Sequence, residues 1–128
     1  MINKGYKVLY TVKPDDHRDP SLSSRVSFAN SYKADEALYI SIHNNAAPKP
    51  GTASGFEIFT SPGKTASDDL ADSIYVNVES FYKTLGLKMR SALSDGDYDK
   101  EHSFYVLTKT KMPAVLLECL FFDNYSDF

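Results

Sequence analysis

The segment from Pro113 to Phe122 contains AVLLECLFF, a run that is apolar at nearly every position. A strand with one wet face alternates apolar and polar residues. A continuous apolar run is instead typical of a central strand covered on both faces. Such a strand needs a layer on each side, and the rest of the chain supplies them by alternating strand-like and helix-like segments.

Lys7 to Val12 (KVLYTV) is rich in β-branched and aromatic residues and predicts a strand, ended by the turn chemistry of Lys13-Pro14-Asp15-Asp16. Asp19-Pro20 signals a helix start, and Leu22, Val26, Ala29 and Lys33 follow at helical spacing, predicting a helix from about Pro20 to Lys33. Ala37 to His43 (ALYISIH) predicts a buried strand and Asn44 to Ser54 a loop. Gly55 to Thr60 (GFEIFT) predicts a further strand. Thr65 can cap a helix with Asp68 three residues on; Leu70, Ile74, Val78, Phe81 and Leu85 form its apolar face, and Gly86 stops it. Leu87 to His102 is polar and reads as a long surface loop on the rim of a substrate groove. Ser103 to Thr108 predicts a strand. The fold class is therefore α/β, a mixed sheet flanked by helices in one domain over residues 1–128, with 128 residues enough for a single core.

Charge and cysteine content narrow the function classes. The formal net charge is -3 and no Lys/Arg run occurs, which argues against a nucleic-acid partner. The single cysteine, Cys119, excludes an intrachain disulfide and reads as a protonated core thiol. No apolar stretch is long enough for membrane insertion, and Met1 to Tyr10 lacks the uninterrupted apolar core of a signal peptide. Any export is expected to come from elsewhere, as in a phage lysin released through a holin or a chain trimmed of its leader.

Two polar residues stand out because each lies near the end of an otherwise apolar strand: His43 closes ALYISIH and Glu118 interrupts AVLLECLFF. In open α/β sheets, ligands bind beyond the carboxyl ends of strands. If the two strands are parallel, imidazole and carboxylate emerge at the same edge. A histidine can bind zinc, and a nearby carboxylate can take a proton from an activated water. A strand-end histidine is commonly only structural. A carboxylate inside an apolar run is harder to dismiss, because burying it without a partner is costly.

The segments SLSSRVSFANSYKADEALYISIHNNAA, GFEIFT and FYVLTKTKMPAVLLECLFFDN resemble successive blocks of the zinc-dependent N-acetylmuramoyl-L-alanine amidases often called amidase type 3. The matching positions are Arg25/Ala29/Asn30, Ser41 to Ala46, Gly55/Glu57, Val106-Leu107 and Pro113 to Asn124. No single block is conclusive; several in order are specific. The resemblance implies a phosphorylase/hydrolase-like α/β amidase fold and hydrolysis of the amide between N-acetylmuramic acid and the L-alanine of the stem peptide. It makes His43 a zinc ligand and Glu118 the catalytic glutamate. Arg90 matches an arginine before the V-L strand and equally reads as a surface residue, so it stays outside the expected site. The implied partner is bacterial peptidoglycan, and the implied setting is the cell wall, reached by secretion, in the periplasm or by phage release, in the manner of an autolysin or endolysin.

The departures from the family pattern are also specific. Its other two zinc ligands, a histidine in a glycine-rich turn and a glutamate on the first helix, lie upstream of everything matched, and family helices after the catalytic strand have no counterpart. The expected domain is thus incomplete at both ends, with weak or no Zn2+ binding by the isolated chain. Neither His17 nor His102 has a spacing that makes it a substitute ligand. A missing strand would leave a sheet edge open to self-association. The competing expectation is a catalytically inactive amidase-like fragment or pseudoenzyme that binds muropeptide or regulates a wall hydrolase. A nucleotide-binding module is remote, since no glycine-rich phosphate loop follows a strand.

Overall fold

The computed structural model describes residues 5–93 and 96–127. In chain order the elements are α1 (Leu22–Ala29), β1 (Tyr39–Asn45), β2 (Glu57–Thr60), α2 (Ala66–Leu85), β3 (Lys100–Glu101), α3 (Tyr105–Lys109) and β4 (Ala114–Phe121), followed by a 3-10 turn over Tyr125–Asp127. The sheet order is β1-β4-β2-β3, so the long apolar run is an inner strand, as its composition predicts. β4 is parallel to β1 and antiparallel to β2, and β2 is parallel to β3, which makes the sheet mixed.

Alternate residues of β4 enter two separate cores. Ala114 and Leu116 pack with Val26 and Ala29 of α1 and with Val106 and Leu107 of α3. Val115 and Leu117 pack with Phe56, Ile58, and Ala71 and Tyr75 of α2. Full burial of an aliphatic side chain such as Val115 or Ile58 contributes roughly 1.5–3 kcal/mol. β1 stands at one end of the sheet and is less covered: Tyr39 is buried, but Ile42 is exposed.

α2 forms as its sequence predicts. The Thr65 hydroxyl accepts from the Ser67 amide, the Asp68 carboxylate accepts from the Thr65 amide at 2.7 Å, and Gly86 closes the helix at φ 70°. Thr65→Ala is expected to lower stability by about 1 kcal/mol, measured by urea unfolding. The predicted apolar face holds at Leu70, Ile74 and Val78, which pack against the sheet with Tyr82. Phe81 and Leu85 are exposed instead, as the helix runs past its cover.

Several expectations are corrected. α1 is capped by Ser21 and ends at Ala29, shorter than the predicted 20–33. Asp19 pairs with Arg25 instead of capping, and the Asn30 side chain bonds Lys109 O and the Lys111 amide, turning the chain out of the helix. Lys7–Val12 is not a strand: a strand requires a partner, and none of the described strands pairs with it. Residues 105–109, which overlap the predicted strand Ser103–Thr108, are helical, which turns the adjacent Val106 and Leu107 into the α1 core.

The predicted surface loop from Leu87 to His102 is also partly internal. Met89 bridges to Phe56, Lys100 and Glu101 form β3, and Asp99 is 1% exposed. The Thr60 hydroxyl donates to Asp99 at 2.5 Å, while the other Asp99 oxygen has no hydrogen-bond partner among the described residues. Burial, reinforced by the charges of Asp97 and Asp68, pushes the Asp99 carboxyl up to about 6 from an ordinary 3.8, against the Thr60 hydrogen bond. A raised acid stabilises the fold only while protonated. Its contribution is full below pH 3.8 and is lost as the pH rises through about 6. Asp99→Asn should therefore raise stability at pH 7.5 by up to about 3 kcal/mol and flatten the melting midpoint between pH 4 and 7. A lower midpoint at pH 7.5 would show that the carboxylate is ionised and stabilised there.

Candidate active site

The parallel pairing of β1 with β4 places His43 opposite Glu118, and the antiparallel pairing of β2 with β4 places Glu57 opposite the same residue. Register partners on neighbouring strands point to one face, about 5 Å apart at Cβ. His43, Glu118 and Glu57 therefore form one row across the sheet. By strand alternation this is the face of Ala114 and Leu116, which α1 and α3 cover; the row lies beyond that cover, and His43 is exposed.

The two carboxylates of the row have opposite environments. Glu57 is buried but fully engaged: it accepts from Arg90 Nε at 2.5 Å, from Lys100 Nζ, and from Asn45 Nδ2 at 2.7 Å. Burial alone would push its carboxyl up, but the Lys100 and Arg90 hydrogen bonds outweigh that and hold it below the usual range. The Oε2 atom of Glu118 is buried and has no hydrogen-bond partner among the described residues. Burial first, and the Glu57 charge second, push the Glu118 carboxyl up. Two neighbouring acids with pKa values pushed apart are a common basis for acid–base chemistry.

The sequence-predicted pair is thus brought together, with His43 Nε2 lying 2.8 Å from the Ser41 hydroxyl. Sequence reasoning missed the support around it. Arg90, set aside as a surface residue, holds Glu57 and lies over the Phe121 ring, 5.4 Å from its centroid. Lys100 comes from the segment read as loop. Glu57 carried the same signal as Glu118, a carboxylate within an apolar strand. The other histidines stay apart from this role: His17 is in an exposed loop and His102 stacks on Phe104. Among the described residues, no group of three His, Cys, Asp or Glu side chains could hold a metal ion. Cys119 is half-buried and its thiol is pushed up by burial and by Glu118, so it stays protonated.

Local backbone geometry fixes the supporting residues. Gly55 adopts φ +110°, and a Cβ there would meet Lys88 O at 2.7 Å. This close approach lets Phe56 N bond Lys88 O and Arg90 N bond Phe56 O, which sets Arg90 beside Glu57. Asp127, also buried, accepts from Gly55 N (3.0 Å), Phe121 N (2.9 Å) and Ser54 Oγ (2.6 Å). It joins the start of β2 to the end of β4.

The Amidase_3 family model, described as N-acetylmuramoyl-L-alanine amidase, matches residues 1–128. The chain is 32% identical over 127 residues to the endolysin of Bacillus phage SPP1, covering 97% of this chain and 42% of that protein. It is 32% identical over 127 residues to N-acetylmuramoyl-L-alanine amidase CwlM of Bacillus licheniformis, covering 99% of this chain and 44% of that one. The chain thus spans less than half the length of these relatives. Among solved structures, an N-acetylmuramoyl-L-alanine amidase from Clostridium difficile 630 superposes with a TM-score of 0.71 at 30% identity, over 88% of this chain and 54% of that one. Cwp6 from Clostridium difficile superposes with a TM-score of 0.70 at 29% identity, over 98% of this chain and 19% of that one. With the family model matched from end to end, the chain belongs to the N-acetylmuramoyl-L-alanine amidase family.

Proposed function

We propose that this chain carries the general-base half of a peptidoglycan amidase site, cutting the amide between N-acetylmuramic acid and the L-alanine of the stem peptide. The observation that carries the reading is the His43–Glu118–Glu57 row, with its unpartnered Glu118 oxygen. Glu118 takes a proton as water adds to the amide carbonyl, and returns it to the alanine nitrogen as the C–N bond breaks. Its elevated pKa suits both halves of that exchange. Glu57, neutralised by Arg90 and Lys100, sets the field beside it without competing for the proton.

Zinc is the metal that the family resemblance implies, and His43 is assigned as one ligand. A catalytic zinc takes three protein ligands, and the described residues bring one to the row, so by themselves they do not fit the ion. Its other ligands are to be sought outside the described residues. This shortfall is also what favours the second reading, an inactive amidase-like fragment or pseudoenzyme that binds muropeptide or regulates a wall hydrolase. The site of action in either case is the bacterial cell wall. Among the described residues, no helix is long and apolar enough to cross a membrane.

The test is to incubate the chain with purified peptidoglycan and one equivalent of zinc, and to follow new N-terminal alanine. Metal content after dialysis is measured in parallel, with His43→Ala as control. Alanine release, with about one zinc per chain lost in the control, supports the amidase. Background zinc and no release assign the chain to the inactive reading.

A further inference from the structure

A cavity of about 450 Å³ opens at the end of the sheet where β1 and β4 finish and β2 begins. Thr52, Ser54, Lys88, Arg90, Asn124 and Ser126 supply its polar lining, whose charged members are two cations; the buried Asp127 carboxylate behind Ser54 feels the Lys88 charge but does not line the cavity. Each neutral polar side chain of the lining donates a hydrogen bond within the protein. Thr52 Oγ1 donates to Lys49 O, Ser54 Oγ to Asp127, Ser126 Oγ to Asn124 Oδ1, and Asn124 Nδ2 to Ala53 O. Arg90 uses its Nε on Glu57, which leaves both Nη amino groups, and Lys88 is exposed and in no ion pair among the described residues. The charged donors facing a ligand are the two cationic heads, and the ligand they fit is an anion able to accept from both.

Position says which anion. Arg90 forms one wall of the cavity and also holds Glu57, the register partner of Glu118. A peptide with its first amide at Glu118 reaches this wall within two or three residues, at about 3.5 Å per extended residue. In a stem peptide the second residue, D-glutamate linked through its γ-carboxyl, leaves its α-carboxylate free. We propose that this cavity is a subsite for that carboxylate, with Lys88 and the outer face of Arg90 as its binding groups. The inference rests on the amidase reading for the identity of the ligand, and it makes the chain selective for the acid over its carboxamide.

The probe is the tripeptide L-Ala-γ-D-Glu-L-Lys with its C-terminus amidated, compared with the same peptide carrying D-isoglutamine. Both are titrated into the ¹⁵N-labelled chain and followed by amide shifts. Saturable shifts at residues 51–54, 88–90 and 124–126 are expected with the acid, with binding at least fivefold weaker for the carboxamide. Lys88→Glu should lose the preference and Lys88→Arg should keep it; Lys88 is exposed, and the dispersion of the same spectra reports folding. Equal affinity for the two peptides, shifts centred elsewhere, or no shifts would overturn the subsite. Binding is read without turnover, so the two readings fail separately. Discrimination without wall cleavage keeps the subsite and sinks the amidase, and cleavage without discrimination does the reverse.

Discussion

Glu118→Gln is expected to lower the proposed amide hydrolysis by about 10²–10⁴-fold, the usual contribution of a positioned general acid–base, and to leave the melting midpoint at pH 7.5 unchanged or higher. The two halves of this result come from one feature. In the native fold a buried carboxylate oxygen has no hydrogen-bond partner among the described residues and faces a second carboxylate across the strand pair. Both effects favour the protonated form, so any stability Glu118 contributes is full below the ordinary glutamate range and is lost as the pH rises through its elevated folded value. A neutral amide of the same shape removes the desolvation and the repulsion, and also removes the proton acceptor. A purely structural glutamate would behave oppositely, losing stability when substituted. A drop of several degrees on Glu118→Gln, or hydrolysis within a few fold of the parent, would sink the assignment. Activity is read as N-terminal alanine released from peptidoglycan, and stability by thermal unfolding of the same samples.

Asp127→Ala is expected to give the reverse pattern, with a stability loss of about 3–5 kcal/mol. Asp127 is the acceptor for two backbone amides and a hydroxyl, and each donor stranded in a dry setting costs roughly 1–3 kcal/mol. For a domain of this size that is a fall of about 10–20 °C in the melting midpoint. Burial alone would raise this carboxyl, but the Ser54, Phe121 and Gly55 donors hold it below the aspartate range. Its contribution is therefore present above ordinary aspartate pKa values and is lost as the pH falls through the lowered one. The penalty for Asp127→Ala should shrink in acid, whereas the gain for Asp99→Asn should shrink there for the opposite reason. A midpoint within about 3 °C of the parent at neutral pH would show that Asp127 fastens nothing of consequence.

Legibility from sequence tracked how local the determining physics was. α2 could be read because its capping pair, apolar spacing and terminal glycine all act within a few residues. β4 could be read because burial on both faces forces an unbroken apolar run. His43 and Glu118 were visible as polar interruptions of such runs. The segment Phe104 to Thr108 misled because Tyr and Val favour strands, while the helix there is selected by packing of Val106 and Leu107 against α1. Lys7–Val12 misled in the same way, having strand composition without a strand to join. Arg90 was legible only as a family match that equally reads as a surface residue, and Lys100 was not legible at all. Their roles arise only when β3 and the Met89 bridge bring two separate stretches to Glu57 on β2.

The sheet order has a consequence for how the molecule comes into being. β1 and β2 are made early, yet they are not hydrogen-bonded neighbours, and the strand that separates them is the last of the described strands to be made. Neither core can close before it arrives, because both are lined by its alternate residues. Nascent chains ending before Ala114 should thus remain open to proteolysis, with their apolar strands unpaired and prone to aggregate. Glu118 arrives on that same strand. Completion of the cores and assembly of the His43–Glu118–Glu57 row are one event in time, so no early folding product carries the row.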